Sequence, residues 1–299
     1  MTVESPYVAR LERIPVDRGE ATIFGSTTRY WTYGPDDASA TIVVVHGYRG
    51  EHHGLEPIIA NLPEYRFISA DLPGFGESTP LTGQPHSIDG YAEWLDAFMA
   101  ELGVRGTAII LGHSFGTIIA SAAMAKGLPA PALILVNPIA MPGAKGPHPI
   151  ATAVTVLYYR AAAKLPRRLG HALLNNWLVV QFMSSSLVKT RDSALRKWIH
   201  REHHRFFNRF SDRDTVVEAF DASVSADVSE FAANIAVPTL LVAAELDDIT
   251  PVSAQYVLQR TFPDARLRVL GGVGHLIHYE VPDQAADAIR DFLDALPST

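Results

Sequence analysis

The chain has 299 residues, 47% of them hydrophobic and 19% charged, with a formal net charge of −7 and no cysteine. That balance supports a sizeable core and excludes a disordered chain, and the missing cysteines exclude disulfides, thiolate nucleophiles and Cys-ligated zinc. Net negative charge argues against a nucleic-acid partner, residues Met1–Asp17 lack the apolar run of a secretory signal, and no stretch is long and pure enough for a membrane span, so the expected location is cytoplasmic.

In chain order, Glu20–Phe24 and Thr28–Tyr33, separated by Gly25-Ser26-Thr27, predict an opening β-hairpin. After Gly34-Pro35-Asp36-Asp37 comes Thr41–Val45 (TIVVV), an unbroken β-branched run that suits a strand buried on both faces. It ends in the loop His46-Gly47-Tyr48-Arg49-Gly50. A shorter strand, Tyr65–Ala70, leads into Asp71-Leu72-Pro73-Gly74-Phe75-Gly76-Glu77-Ser78. Ile88, Tyr91, Trp94, Leu95, Phe98, Met99 and Leu102 recur at helical spacing, and Gly103 stops that helix. The strand TAIIL (Thr107–Leu111) stops at Gly112, an Ala-rich helix follows Gly116, and Ala132–Val136 is a strand closed by Asn137-Pro138. From about Met141 to Ala236 the patterns are helical only. The rhythm resumes with the strand Pro238–Ala243, a helix over Val252–Phe262, the strand Ala265–Leu270 and a helix over Pro282–Leu296. Strands alternating with helices imply an α/β fold, a mostly parallel eight-stranded sheet with helices on both faces. Residues 1–140 and 236–299 supply it, and 141–235 form a helical insertion over the C-terminal edge of the sheet, where α/β active sites lie.

The chemistry concentrates at Gly112-His113-Ser114-Phe115-Gly116, a G-x-S-x-G turn between a buried strand and a helix. Reversing the chain so sharply strains the serine backbone, and Gly112 and Gly116 let neighbouring backbone pass without a Cβ clash. The turn puts the Ser114 hydroxyl at a helix N-terminus, which favours developing negative charge. A serine hydroxyl needs a base, a group to orient that base, and donors for an oxyanion. Two loops after later strands offer them: Ala244-Glu245-Leu246-Asp247-Asp248-Ile249-Thr250-Pro251, and Gly271-Gly272-Val273-Gly274-His275. Their order, Ser then Asp then His, accompanies this elbow.

With HGYRG, DLPGFGES, GHSFG, AELDDITP and GVGHLIHYEVP in this order, the sequence resembles the α/β-hydrolase fold superfamily over nearly its whole length, and most closely its cap-bearing ester and carbon–carbon bond hydrolases. The resemblance implies Ser114 as nucleophile, His275 as general base and then acid, and the backbone N–H groups of Tyr48 and Phe115 as the oxyanion hole. Its Gly-x-x-Asp-x-x-x-Pro pattern, counted back from Pro251, implies Asp247 as the acid; Ala244 stands where the glycine is usual, and Asp248 is the alternative. Asn137, where some relatives carry the acid, cannot hold the charge. His46 and Gly47 shape the oxyanion loop, Gly112 and Gly116 the elbow; Asp71–Ser78 is a structural turn, and His278 is structural.

A serine at position 114, rather than a carboxylate, points away from dehalogenase and epoxide-hydrolase chemistry. It implies an acyl-enzyme route on a carboxylic ester or thioester, with no cofactor and no metal. Carbon–carbon hydrolysis of a vinylogous diketone with the same triad is the alternative reaction, and a non-catalytic receptor is the alternative class. His200 and His204 share a helix face, but no third ligand stands at a zinc-like spacing. Between Lys145 and Arg213 there are 13 basic and three acidic residues. Interleaved apolar residues (Val154, Leu157, Tyr158, Leu173, Leu174, Trp177, Leu178, Phe182, Trp198, Phe206, Phe207) are expected to cover the active site and admit a lipophilic acyl group. The basic surface is either a solvated outer face or a weak contact for a membrane or anionic lipid.

Overall fold

The computed structural model describes residues 5–142, 146 and 148–297 of the chain. Its strands are β1 (Val16–Ile23), β2 (Ser26–Tyr33), β3 (Thr41–Val45), β4 (Arg66–Ala70), β5 (Ile109–His113), β6 (Leu133–Val136), β7 (Thr239–Ala244) and β8 (Ala265–Leu270). They form one 8-stranded sheet in the order β1-β2-β4-β3-β5-β6-β7-β8. Only the β1–β2 and β2–β4 pairs are antiparallel; all others are parallel.

The helices are α1 (Val8–Leu11), α2 (Glu56–Ile59), α3 (Ile88–Glu101), α4 (Phe115–Ala125), α5 (Pro149–Lys164), α6 (Arg167–Leu174), α7 (Trp177–Leu187), α8 (Ser193–Phe206), α9 (Arg213–Ser225), α10 (Ser229–Ala232), α11 (Val252–Thr261), α12 (Ile277–Glu280) and α13 (Pro282–Asp294). The side-chain alternation of the strands explains why the sheet is covered on both sides. Val43, Val45, Ile110, Leu133, Leu135 and Leu241 point into a core shared with α3 and α4. Their neighbours Ile42, Val44, Ile109, Leu111, Ile134 and Val242 point into a second core with α2 and α13.

Between β6 and β7 the described residues form helices α5 to α10 and one isolated antiparallel bridge, Phe75 to Phe210. That bridge joins the segment to the loop after β4, where Gly76 N donates to the Arg209 carbonyl (2.8 Å) and Ser211 N to the Gly74 carbonyl (2.9 Å). Tyr159, Ala162, Leu174, Val216 and Phe220 extend the α3–α4 core into the segment.

Several boundaries differ from the sequence expectation for physical reasons. The hairpin turn is Phe24-Gly25, not Gly25-Ser26-Thr27: both residues have positive φ (47° and 75°) and Ile23 pairs with Ser26, the geometry of a two-residue turn that suits strand twist. β1 starts as early as Val16, which pairs with Tyr33; Asp17, Arg18 and Gly19, exposed or half-buried on the sheet edge, show no apolar alternation that would have marked this start. β5 runs through Gly112 to His113, held by continued pairing with Leu135 and Val136 of β6. The larger correction concerns the insertion. Val154, Leu157, Trp177, Leu178 and Phe182, expected to cover the site, are all turned to solvent.

Candidate active site

β5 delivers Ser114 to the C-terminal edge of the sheet, and the local sequence dictates how. Ser114 adopts φ 51° and ψ −118°, a strained conformation for a side-chain-bearing residue. The two glycines have no room for anything larger. A Cβ on Gly116 would lie 2.1 Å from the Val45 carbonyl oxygen, and one on Gly112 would lie 2.5 Å from that of Gly116. Ser114 is the N-cap of α4, yet its side chain makes no capping hydrogen bond. The hydroxyl lies instead 2.8 Å from His275 Nε2.

The loop after β8 carries His275, and the loop after β7 carries Asp247. His275 Nδ1 lies 2.8 Å from Asp247 Oδ2, so the ring bridges hydroxyl and carboxylate. His275 and Asp247 are 5% and 6% exposed. Asp247 Oδ1 accepts from the backbone N–H groups of Ile249 (2.8 Å) and Thr250 (3.2 Å), while Oδ2 also accepts from Asn137 Nδ2 (3.1 Å). Burial raises the Asp247 carboxyl's pKa, but His275 and the two N–H groups outweigh it and hold it below the usual carboxylate range. Asp248 faces away and pairs with Lys189 of the insertion. Asn137, at φ 49°, therefore orients the carboxylate it cannot replace.

The loop after β3 approaches the same edge. His46 Nδ1 donates to the Gly47 carbonyl (2.8 Å) and its Nε2 accepts from Leu72 N (2.8 Å), which fixes the tautomer and ties this loop to the one after β4. At Gly47 a Cβ would come within 3.2 Å of the Ser114 Cβ. Among the described residues, neither the Tyr48 nor the Phe115 backbone N–H has a hydrogen-bond acceptor. The Tyr48 hydroxyl donates to the Val216 carbonyl (2.9 Å), and its ring meets Phe75, Phe115 and Tyr159 edge-on.

Arg49 is the residue that sequence reasoning missed. It is 1% exposed, with φ 56°. Its guanidinium donates to the carbonyls of Phe207 (3.1 Å) and Leu174 (2.9 Å), to the Tyr159 hydroxyl (3.3 Å) and to Asn208 Oδ1. The rings of Phe207 and Phe210 lie 4.4 and 5.1 Å from it. One side chain thus fastens the loop beside Ser114 to three parts of the insertion. An arginine in a glycine-punctuated loop carries no sequence sign of this burial.

Ser114 opens into a cavity of about 110 Å³. Leu55, Leu187, Leu276, Phe206 and Phe207 supply apolar walls, and Glu51 and Glu202 supply carboxylates. Burial raises the pKa of Glu202 against the pull of Arg201. Glu51 pairs with Arg209 and His53. Behind the serine, His278 packs against His113, ring centres 4.2 Å apart. Burial, helped by His275, depresses the pKa of both, His113 to about 3.

Ligand atoms of Glu51, His52 and His53 lie within 4.8 Å of one another. Each residue is already engaged: His52 Nδ1 by Asp71 (2.8 Å), His53 by Glu51, and Glu51 by Arg209. His200 Nδ1 meets Ser184 Oγ (2.6 Å) and His204 Nε2 meets Gln181 Oε1 (2.8 Å), so both histidines hold α8 to α7.

Comparison with known proteins gives the family. A family model described as the alpha/beta hydrolase fold matches residues 40–282. The chain is 24% identical over 263 residues to a pimeloyl-[acyl-carrier protein] methyl ester esterase of Xanthomonas campestris pv. campestris, covering 86% of this chain and 96% of that one. It is 24% identical over 272 residues to Lipase 1 of Psychrobacter immobilis, covering 86% and 79%. A thermophilic esterase from Thermogutta terrifontis superposes with a TM-score of 0.75 at 22% identity, over 94% of this chain and 99% of that one. With an eight-stranded sheet in this order, a strained serine at the end of β5 and a family model spanning most of its length, the chain belongs to the α/β-hydrolase fold family.

Proposed function

We propose that this protein is a serine hydrolase that cleaves a carboxylic ester or thioester through an acyl-enzyme, with residues 141–235 as its cap. The observation that carries the reading is the continuous hydrogen-bonded line from Ser114 Oγ through His275 to Asp247, 2.8 Å at each step. In this scheme His275 Nε2 takes the Ser114 proton as the oxygen attacks the carbonyl carbon. Asp247 holds the Nδ1 proton in place and stabilises the imidazolium. The N–H groups of Tyr48 and Phe115 receive the oxyanion. His275 then protonates the leaving group, and water, activated by the same ring, releases the acid. Ester hydrolysis is common to the names of the relatives above. The apolar walls from Leu55, Leu187, Leu276 and Phe206 favour a lipophilic acyl group.

The test is a fluorophosphonate probe combined with a panel of p-nitrophenyl esters of graded acyl length, an acyl-CoA and a vinylogous diketone. The parent should label and turn over an ester or thioester repeatedly. Ser114→Ala should remain folded, refuse the label and lose about 10³-fold or more in kcat. Undiminished turnover by the alanine variant would remove the acyl-enzyme, and turnover of the diketone alone would reassign the reaction to carbon–carbon cleavage.

A further inference from the structure

Helix α5 has two unlike faces. On one side Tyr159 and Ala162 are 1% and 0% exposed, and Tyr159 stacks on Phe220 with ring centres 3.9 Å apart. On the other, Ile150, Val154 and Leu157 are 80%, 62% and 67% exposed. Their spacing of four and three residues sets them on one face of the helix, shared by Ala153 and Ala161. Pro149, Ile150, Ala153, Val154 and Leu157 line a shallow groove on this surface, and none of them borders the Ser114 cavity. α7 repeats the pattern, with Trp177, Leu178 and Phe182 exposed by 62%, 59% and 73%. A helix satisfied by its own protein turns such residues inward and polar ones outward. Here the outward positions over the first turns of α5 are apolar.

The charge around this face indicates what covers it. From Met141 to Arg191 the sequence has seven Lys or Arg and no Asp or Glu, in a chain with 32 acidic and 25 basic residues. Arg160 and Lys164 continue the outer face of α5 toward its C-terminus, and Arg167, Arg168 and the exposed Leu169 open α6. Arg167 pairs with Asp214. Arg160, Lys164 and Arg168 have neither an ion pair nor a hydrogen-bond partner among the described residues. A second copy meeting this face about a two-fold axis would set these cations against one another. An anionic bilayer complements both features at once: its surface potential attracts Lys and Arg, and its interface takes up apolar side chains. Among the described residues no helix is long and apolar enough to cross a membrane, so the contact is peripheral.

We propose that the outer face of α5, together with the start of α6, docks this protein on an anionic lipid surface. The inference is independent of the reaction at Ser114. It is tested by floating the full chain with vesicles of phosphatidylcholine alone, or with about a third phosphatidylglycerol, at low and high salt. The parent should float with the anionic vesicles at least about 10-fold more than with the neutral ones, and added salt should release it. Val154→Glu with Leu157→Glu, or Arg160→Glu with Lys164→Glu and Arg168→Glu, should each lower that binding about 10-fold. The melting temperature and the hydrolysis of a short soluble ester should stay unchanged. Leu157→Ser is the milder variant should the glutamates impair folding. A parent that stays soluble at low salt overturns the proposal, as do variants that float like the parent. A parent dimer that Leu157→Glu splits would give the face to a second copy instead.

Discussion

Asp247 and Asp248 are neighbours in sequence with unlike surroundings. Asp247 is buried with four hydrogen-bond donors on its two oxygens, while Asp248 is half exposed and paired with Lys189. Asp247→Asn keeps the volume but removes the charge and favours the wrong tautomer of His275, so kcat should drop by about 10³–10⁴-fold. Asp248→Asn removes only its surface pairs with Lys189 and His148, each worth about 0–1 kcal/mol, and should leave kcat within a few-fold of the parent. Steady-state kinetics of the two variants on one ester separates them; the larger loss at Asp248 would sink the assignment. Arg49 offers a different test, because it touches no reacting atom. Arg49→Lys keeps the charge but cannot present a planar fork to acceptors lying in different directions. It should lower kcat about 10-fold or more with little change in KM, since the Tyr48 N–H beside it would lose its fixed position. Arg49→Ala should also destabilise the fold by more than about 2 kcal/mol by leaving buried acceptors unpaired. Parent-like kcat in the lysine variant, with lowered stability alone, would reduce Arg49 to a structural tie.

At the scale of elements, the unit formed by β5, the elbow and α4 is where backbone geometry is least tolerant. Gly116→Ala would place its Cβ 2.1 Å from the Val45 carbonyl oxygen. β3 must then separate from α4, at a cost of about 1–3 kcal/mol. Urea unfolding should show that loss together with reduced turnover, because Ser114 is held by the same contact; unchanged values would mean that the strand yields without cost. This unit was also the most legible in the sequence. Small residues at 112 and 116 and apolar runs on both sides leave few alternatives for strand, turn and helix. The parallel strands were legible because burial on both faces requires continuous apolar runs such as Thr41–Val45. The insertion was legible as helices but not as surfaces. Periodicity marks an apolar face without saying what it faces, so Leu157 and Phe182 looked like residues turned toward the active site and instead point to solvent. Arg49 and Asn137 were illegible for a related reason: their partners lie more than 100 positions away in sequence, at Asn208 and Asp247.

Over the whole molecule, the histidines that burial keeps neutral make stability fall as pH falls, opposed by His53, whose pKa Glu51 raises against the lowering effect of burial. Ion pairs between the insertion and the rest of the chain, Arg209 with Glu51 and Lys189 with Asp248, contribute to holding the two parts together. Close by, His113, His203 and His278 are buried and kept neutral. Burial is the main cause for all three and neighbouring histidines add to it, together taking His113 and His203 to about 3. In the unfolded chain these groups take up protons near 6.5. Between that value and about 3 the unfolded state binds protons that the fold refuses, so stability is full above pH about 6.5 and is lost as pH decreases. Asp71 and Asp247, both held below the usual carboxylate range against the opposing effect of burial, add to the loss at the acid end. Urea titrations from pH about 7.5 down to about 5 should therefore show a flat upper region and then a decline approaching about 1.4 kcal/mol per pH unit for each buried histidine. His278→Gln cannot be protonated. Relative to the parent it should flatten that decline by close to one proton, whatever its own stability at neutral pH. If the parent's stability stays level down to pH about 5, the histidines are taking up protons within the fold, and the cluster behind Ser114 is wetter than its burial implies.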